Sequence, residues 1–161
     1  MTTIKDLLEH IPSREVLSIS PSDSVYDAIA LMSDQNVGAL LVMEGDQIAG
    51  IVTERDYARK IILRDRASRT TPVSEIMSEK VFYVTTKDSA EACMALMVLK
   101  QVGHLPVLEG GELSGFISMG DLARVIISDH ESLIDQLSNY VQGERGVIEH
   151  PERKAARERT T

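Results

Sequence analysis

The amino-acid sequence predicts an α+β fold in which two copies of one β-α-β-β-α unit pack about a pseudo-two-fold axis. Three observations predict it: an internal repeat, the order of apolar patterns within each copy, and one polar motif that recurs in both. Val16 to Ile62 aligns with Val81 to Ile127 at a constant offset of 65 residues, without a gap. Since a unit of about 47 residues buries too little surface to be stable alone, the two copies are expected to pack together.

Each copy begins with a short apolar strand and continues into an amphipathic helix. The strands are expected at 16–19 and 81–84, and Asp-Ser pairs at 23–24 and 88–89 then mark the helix starts. Apolar residues follow at i, i+3, i+4 and i+7, which places one face of each helix in the core. These residues are Val25, Ala28, Ile29 and Met32 in the first copy, and Ala90, Cys93, Met94 and Met97 in the second.

Two further strands and a second helix complete each copy. Runs of consecutive apolar residues at 39–43 and 105–108 are typical of strands that are covered on both faces. Glu-Gly turn sequences follow, and the chain is expected to return as strands at 48–53 and 113–118. The second helix begins directly after each returning strand.

The segments outside the duplicated units are short. Residues 4–8 and 73–77 resemble each other as lead-in helical turns, and the first copy has four extra residues within 10–15. The C-terminal stretch is dominated by charge and has almost no apolar anchor, which favours disorder. The predicted divisions are a first repeat with its lead-in and connector at 1–70, a second repeat at 71–128, a C-terminal helix at 129–142 and a disordered charged tail at 143–161.

Composition and charge exclude several classes of protein. The 161 residues are 43% hydrophobic and 26% charged, which is ordinary for a globular domain. A net charge of −8 argues against a nucleic-acid partner, because duplex binding needs many Lys and Arg contacts to phosphate. No stretch approaches the roughly 20 apolar residues that span a bilayer, and the N-terminus lacks signal-peptide features. A cytoplasmic location with no membrane partner is therefore expected.

Neither a metal site nor a catalytic motif is expected. Cys93 is the single cysteine, so it can form no intramolecular disulfide, and its apolar neighbours indicate a buried structural thiol. The four histidines, at positions 10, 104, 130 and 150, lack ligand spacing. The sequence contains no phosphate loop, dinucleotide fingerprint or nucleophile elbow. We therefore expect no metal and no enzymatic activity.

The recurring polar motif is Gly-apolar-apolar-Ser/Thr-x-x-Asp, present as GIVTERD in the first copy and GFISMGD in the second. Its structural interpretation is a capping box, in which the hydroxyl of Thr53 or Ser118 accepts hydrogen bonds from first-turn amides. Its functional interpretation is a nucleotide site. A helix N-terminus attracts an anion, and the carboxylate of Asp56 or Asp121 can accept hydrogen bonds from both hydroxyls of a ribose.

Basic residues accompany both motifs. Arg55, Arg59 and Arg124 lie within or just after these turns, where a guanidinium group suits phosphate, although a solvated helix face is the alternative. Gly120 stands where the first copy has Arg55, and His104 has an alanine counterpart in the first copy. The two clefts therefore cannot be chemically equivalent.

The paired GIVTERD and GFISMGD motifs, with NVGALLV and QVGHLPVL upstream, resemble the CBS domain family, named for cystathionine beta-synthase, over roughly residues 3–128. The resemblance implies a CBS domain pair, or Bateman module. Such modules bind adenosine derivatives such as AMP, ADP, ATP, NAD or S-adenosylmethionine in clefts between the repeats, and they often dimerise.

The resemblance also implies roles for individual residues. It places Thr53, Asp56, Ser118 and Asp121 on the ribose. The candidate phosphate contacts are Arg55, Arg59, His104 and Arg124. The adenine pocket is implied at Val16, Val37, Gly38, Ile51, Val81, Val102, Gly103 and Phe116.

The expected function is a regulatory, signal-transducing module that converts nucleotide occupancy into a change of shape. The expected partners are an adenine nucleotide, a regulated protein, and a second copy that covers a helix face with Leu133, Ile134 and Leu137. The alternative is a ligand-free interaction scaffold with the same fold. The polar motif is intact in both copies, which argues against that alternative.

Overall fold

The computed structural model describes residues 2–11 and 16–142. In chain order, the elements of the first part are helix α1 (Ile4–His10), strand β1 (Ser18–Ile19), helix α2 (Val25–Gln35), strands β2 (Ala39–Glu44) and β3 (Gln47–Thr53), helix α3 (Glu54–Lys60) and a 3-10 turn (Ile62–Arg64). The second part contains a 3-10 turn (Val73–Glu75), β4 (Val84–Thr85), α4 (Ala90–Lys100), β5 (His104–Glu109), β6 (Glu112–Ser118), α5 (Met119–Ser128) and α6 (Glu131–Gln142).

Each repeat forms its own three-stranded mixed sheet. The strand orders are β1-β2-β3 and β4-β5-β6, with the first pair parallel and the second antiparallel in both sheets. Both hairpins have a bulge at the equivalent place, after Val42 and after Val107. The predicted α+β fold of two βαββα repeats is confirmed.

The helices α2 and α4 begin where the sequence predicts. The hydroxyls of Ser24 and Ser89 cap their N-termini, and the residues predicted to face the core are buried or half-buried. Asn36 and Gln101 end these helices in the left-handed conformation, with φ of 53° and 54°. This conformation turns the chain at once into β2 and β5, so Val37 and Gly38 lie at the entrance of a strand.

The opening strands are shorter than predicted and start later. Strands were expected at 16–19 and 81–84, whereas β1 and β4 contain two residues each. A carboxylate ends both strands, because Asp23 accepts a hydrogen bond from the Ser20 amide and Asp88 accepts one from the Thr85 amide. Val16 and Leu17, which directly precede β1, do not pair in the sheet and are free to line a cavity.

The lead-in segments are exchanged between the repeats. Helix α1 precedes the first repeat in sequence, yet Ile4 and Leu7 belong to the buried core of the second repeat. The segment before the second repeat places Val73 and Ile76 in the core of the first. The predicted boundary between 70 and 71 separates the repeats in sequence, while the lead-in segments cross it in space.

Matching main-chain hydrogen bonds hold the exchanged segments. The Ile4 amide donates to the Asp88 carbonyl at 2.9 Å, and the Val73 amide donates to the Asp23 carbonyl at 2.8 Å. Asp23 and Asp88 are equivalent positions at the offset of 65. The two contacts are therefore related by the pseudo-two-fold axis.

The C-terminal helix of the described chain is α6, Glu131–Gln142. Its Leu137, Tyr140 and Val141 side chains are exposed. The side chains of Leu133 and Ile134, and the stretch 143–161 that was expected to be disordered, lie outside the described part of the structure. Among the helices that the structure describes, none has the length and apolar character needed to cross a membrane.

Candidate functional site

A cavity of about 520 Å³ lies between the two repeats. Both repeats and the end of the first lead-in segment contribute to its wall. The lining residues are Leu8, Ile11, Val16, Leu17, Asn36, Val37, Gly38, Ala39, His104, Ser114, Gly115, Phe116, Ser118, Asp121 and Arg124. Its volume is within the range of about 300–1,000 Å³ that is typical of small-molecule sites.

The polar end of the cavity is the N-terminus of α5. Strand β6 ends at Ser118, whose main-chain amide and hydroxyl both donate to Asp121 Oδ2 at 2.8 Å. The Asp121 amide donates back to the Ser118 hydroxyl at 3.2 Å. The capping-box interpretation is therefore correct, and it fixes the Asp121 carboxylate at the cavity wall.

A capping box alone does not identify a ligand site in this protein. Thr53 with Asp56 forms the same arrangement at α3, and Thr3 with Asp6 forms it at α1. At the N-terminus of α5, the second observation is the cavity that Ser118 and Asp121 line. The second oxygen of Asp121 is 3.5 Å from an Arg124 guanidinium that is 77% exposed. Such a long, solvated ion pair contributes little, so both groups are available to a ligand.

The opposite wall is apolar and comes from the first repeat. Val16 and Leu17 precede β1, and Val37 and Gly38 precede β2. A Cβ atom on Gly38 would lie 3.4 Å from Glu54 Oε2 and 4.0 Å from His104 Cε1. The glycine thus keeps this wall open where the two repeats approach each other.

Two aromatic rings form part of the wall from the second repeat. His104 and Phe116 are stacked, with ring centroids 5.5 Å apart and an interplanar angle of 26°. Burial lowers the pKa of the His104 imidazole, and the carboxylates of Asp121 and Glu54 oppose this effect. His104 is therefore neutral at pH 7, and it presents a flat, uncharged ring to the cavity.

Replacing His104 with glutamine is expected to remove a pH-dependent component of stability. The folded-state pKa of His104 is lower than the unfolded value of about 6.5, so the unfolded chain binds the proton first as the pH falls. Stability should decrease from about pH 6.5 to the lower folded pKa, because protonation favours the unfolded chain there. Urea unfolding of both proteins between about pH 7.5 and pH 5 measures the difference. Parallel pH profiles would contradict the prediction.

The structure places half of the sequence-predicted site residues together. Those that line the cavity are Val16, Val37, Gly38, His104, Phe116, Ser118, Asp121 and Arg124. Those that lie outside its lining are Ile51, Thr53, Arg55, Asp56, Arg59, Val81, Val102 and Gly103. The lining residues come from opposite repeats. The second repeat provides the carboxylate of Asp121, and the first provides most of the apolar wall. The ligand roles of all of them stay predictions.

Sequence reasoning missed the contributions of the lead-in segment. Leu8 packs against Gly115, where an added Cβ would lie 2.8 Å from Leu8 Cδ2. Ile11 continues the same wall. The buried glycine at the centre of β6 was a signal, since a glycine inside a strand often marks close approach by another segment.

The N-terminus of α3, which Thr53 caps, differs chemically from the N-terminus of α5. The Lys60 ammonium lies 3.0 Å from Asp56 Oδ1 and donates to the Ile76 carbonyl at 2.8 Å. Asp56 Oδ2 accepts from the Thr53 amide at 3.0 Å. Both oxygens of this carboxylate are therefore engaged within the protein. Lys60 was not among the predicted site residues, although it lies four residues after Asp56 on one helix.

Cys93 is buried in the core of the second repeat, as predicted. Burial raises the pKa of its thiol to about 11, which leaves it protonated and unreactive at neutral pH. Within residues 2–11 and 16–142, no three His, Cys, Asp or Glu side chains are grouped so that they could hold a metal ion.

Known proteins are similar to this chain in sequence and in fold. The family model for the CBS domain matches residues 3–63 and 73–128. The CBS domain-containing protein CBSX3, mitochondrial, of Arabidopsis thaliana is 38% identical over 150 residues, which cover 88% of this chain and 73% of the relative. A structure of a protein with CBS domains from Burkholderia ambifaria MC40-6 has 51% identity and a TM-score of 0.77, covering 80% of this chain and 96% of that one.

A more distant structure contains bound ligands. The CBS domain pair of protein MJ0100, in complex with 5'-methylthioadenosine and S-adenosyl-L-methionine, has 19% identity and a TM-score of 0.68. It covers 80% of this chain and 98% of that one. At this identity the similarity concerns the fold.

Proposed function

The chain belongs to the CBS domain family as a pair of CBS domains, and from this we propose that it is a regulatory, signal-transducing module that binds an adenosine-containing ligand between its repeats. It has no catalytic activity of its own in this proposal. The supporting observation is the cavity, in which the Asp121 carboxylate faces an apolar wall from the other repeat.

The chemistry of the two walls suits the two halves of adenosine. Val16 and Val37 offer apolar contact to a planar base, and the Phe116 and His104 rings add an aromatic surface. On the polar side, Asp121 can accept hydrogen bonds from ribose hydroxyls, as an acidic side chain does in dinucleotide-binding sites. The proposed ribose contacts are therefore Ser118 and Asp121.

The charge near the ribose position bears on the class of ligand. Among the described residues that line the cavity, Arg124 is the one cation, and its exposed guanidinium can pair with a phosphate. AMP, ADP, ATP and NAD all present a phosphate there. The ligands of MJ0100 add 5'-methylthioadenosine and S-adenosylmethionine as candidates.

Occupancy can change the shape of the protein because the cavity wall is shared. A ligand that contacts both repeats and the lead-in residues Leu8 and Ile11 favours whichever relative position of these parts it fits best. It shifts an equilibrium between shapes by its difference in affinity for them. We propose that a partner protein recognises the shape selected in this way.

A thermal-shift panel tests the proposal. Adenosine, AMP, ADP, ATP, NAD, 5'-methylthioadenosine and S-adenosylmethionine are each added to the purified chain, and at least one is expected to raise the melting temperature. A compound at about 100 times its Kd adds about 2.7 kcal/mol of stability. This added stability should raise the melting temperature by several degrees, since chains of about 150 residues gain about 2–4 °C per kcal/mol.

The matched control is Asp121→Asn, which keeps the size of the side chain and removes its charge. This variant should fold, and at the same ligand concentration its thermal shift should be at most about half that of the unmodified chain. An unchanged melting temperature with every compound would refute ligand binding and favour the alternative of an interaction scaffold.

We also propose a homodimer, which would serve either function. Large apolar side chains are exposed on the described surface. Among them are Leu63 and Leu99, each of which is 78% exposed to solvent. Surfaces of this kind often mark contacts between proteins. Light scattering after size exclusion at micromolar concentration is expected to give twice the mass of the chain, and a monomer mass would contradict the proposal.

A further inference from the structure

We propose that this CBS pair binds one adenosine-containing ligand per chain, because its own segment 76–78 and Lys60 occupy the second cleft. The second cleft is the place related to the cavity by the pseudo-two-fold axis, next to Thr53 and Asp56. The inference rests on the proposed function for the first site. It departs from the expectation of the sequence, which gives both clefts the same motif.

The main chain of the second lead-in segment lies directly on strand β3. The Ile51 amide donates to the Ser78 carbonyl at 3.0 Å, and the Ser78 amide donates to the Ile51 carbonyl at 2.9 Å. An added Cβ on Gly50 would lie 2.7 Å from the Ser78 carbonyl oxygen. This segment therefore packs directly against the strand at Gly50 and Ile51.

The equivalent edge of β6 is different. Phe116 corresponds to Ile51, and it lines the cavity. Between residues 2–11 and β6, the structure shows no bridge of the kind that joins Ile51 to Ser78. The first lead-in approaches this strand with a side chain, that of Leu8 against Gly115. The edge of β3 is thus hydrogen-bonded to Ser78, whereas the equivalent edge of β6 faces the cavity.

The lengths of the two connections explain the difference. Three residues separate Met77 from Val81, whereas seven separate the equivalent Leu8 from Val16. A chain extends at most about 3.6 Å per residue, so the short connection reaches about 14 Å and the long one about 29 Å. The short connection therefore limits how far residues 78–80 can lie from β3.

The acid of the second cleft is also occupied. Asp56 uses one oxygen in its capping box and holds Lys60 with the other at 3.0 Å. Lys60 in turn donates to the Ile76 carbonyl at 2.8 Å, which joins α3 to the covering segment. The position equivalent to Lys60 in the second repeat is Val125. A ribose at Asp56 would have to displace the Lys60 ion pair at 3.0 Å, whereas the ion pair of Asp121 with the exposed Arg124 is longer, at 3.5 Å.

Calorimetric titration counts the sites. AMP and S-adenosylmethionine are titrated separately into the full chain and into two matched variants, Asp121→Asn and Asp56→Asn. The expected stoichiometry is one per chain, with affinity lowered about tenfold or more by Asp121→Asn and changed less than about twofold by Asp56→Asn. Two equivalents per chain, or equal losses in both variants, would overturn the proposal.

Hydrogen exchange examines the covered cleft without any ligand. In the free protein the Ile51 and Ser78 amides should exchange as slowly as the Val52 amide inside β3, and Lys60→Met should speed exchange at Ser78. Fast exchange at Ser78 in the unmodified chain would show an open cleft and overturn the proposal. If neither compound binds, the proposed function fails by the titration, while this measurement still decides whether the second cleft is covered.

Discussion

Deleting residues 1–11 is expected to unfold the second repeat, although these residues precede the first. Ile4 and Leu7 are 0% and 1% exposed, and both lie in the core that the second repeat forms. Removing one large buried side chain costs about 2–5 kcal/mol. Losing two of them approaches the entire stability of a typical domain, about 5–15 kcal/mol. Exchange protection should therefore disappear first in α4 and β5.

Two comparisons make this prediction specific. Leu7→Ala should lower the free energy of unfolding by about 2–5 kcal/mol, whereas Glu9→Ala, at an exposed side chain of the same helix, should change it by less than about 0.5 kcal/mol. Deletion of 143–161, the stretch predicted to be dispensable, should leave the melting temperature unchanged. If α2 and β2 lost protection before α4, the described packing of α1 would be wrong.

Gly50→Ala is expected to destabilise the fold by about 1–3 kcal/mol, the usual cost of overpacking a close contact. The added methyl group would lie 2.7 Å from the Ser78 carbonyl oxygen and 2.9 Å from Met77 Sδ. The carbonyl belongs to main chain that is held by two hydrogen bonds to Ile51, so it cannot move without breaking them.

Gly115→Ala is the matched variant in the other repeat. Its methyl group meets the Leu8 side chain at 2.8 Å, and a leucine terminus beside a cavity can rotate away. The loss should be smaller than for Gly50→Ala, and urea denaturation of both variants measures the difference. Equal losses would show that Leu8 is as firmly held as the Ser78 main chain.

The sequence was sufficient to predict the repeated unit and its caps. An offset of 65 residues, the Asp-Ser helix starts and the Gly-Thr/Ser-Asp junctions are local patterns, and local patterns determine local structure. The opening strands were predicted too long because Val16 and Leu17 are apolar for another reason. They line the cavity instead of pairing in a sheet.

The exchange of the lead-in segments could not be predicted from the pattern. Ile4 and Val73 have the same apolar spacing, and such spacing fits either core equally well. The pairing of Asp56 with Lys60, four residues later on one helix, was open to prediction. The bond from Lys60 to the main-chain carbonyl of Ile76, sixteen positions away, was hidden. Contacts of this kind depend on the path of the chain, which composition and periodicity do not specify.

The exchanged lead-in segments also bear on how a chain with two repeats arose. A polypeptide with one repeat can complete its core by trading the same segment with an identical copy, as in a domain-swapped dimer. The contacts of Ile4 with Asp88 and of Val73 with Asp23 would then be a single contact made twice. Joining the two copies end to end requires only a connector. Once the two copies are fused in one gene, each half mutates independently. A lysine can then arise beside Asp56 while the equivalent position beside Asp121 carries no charge.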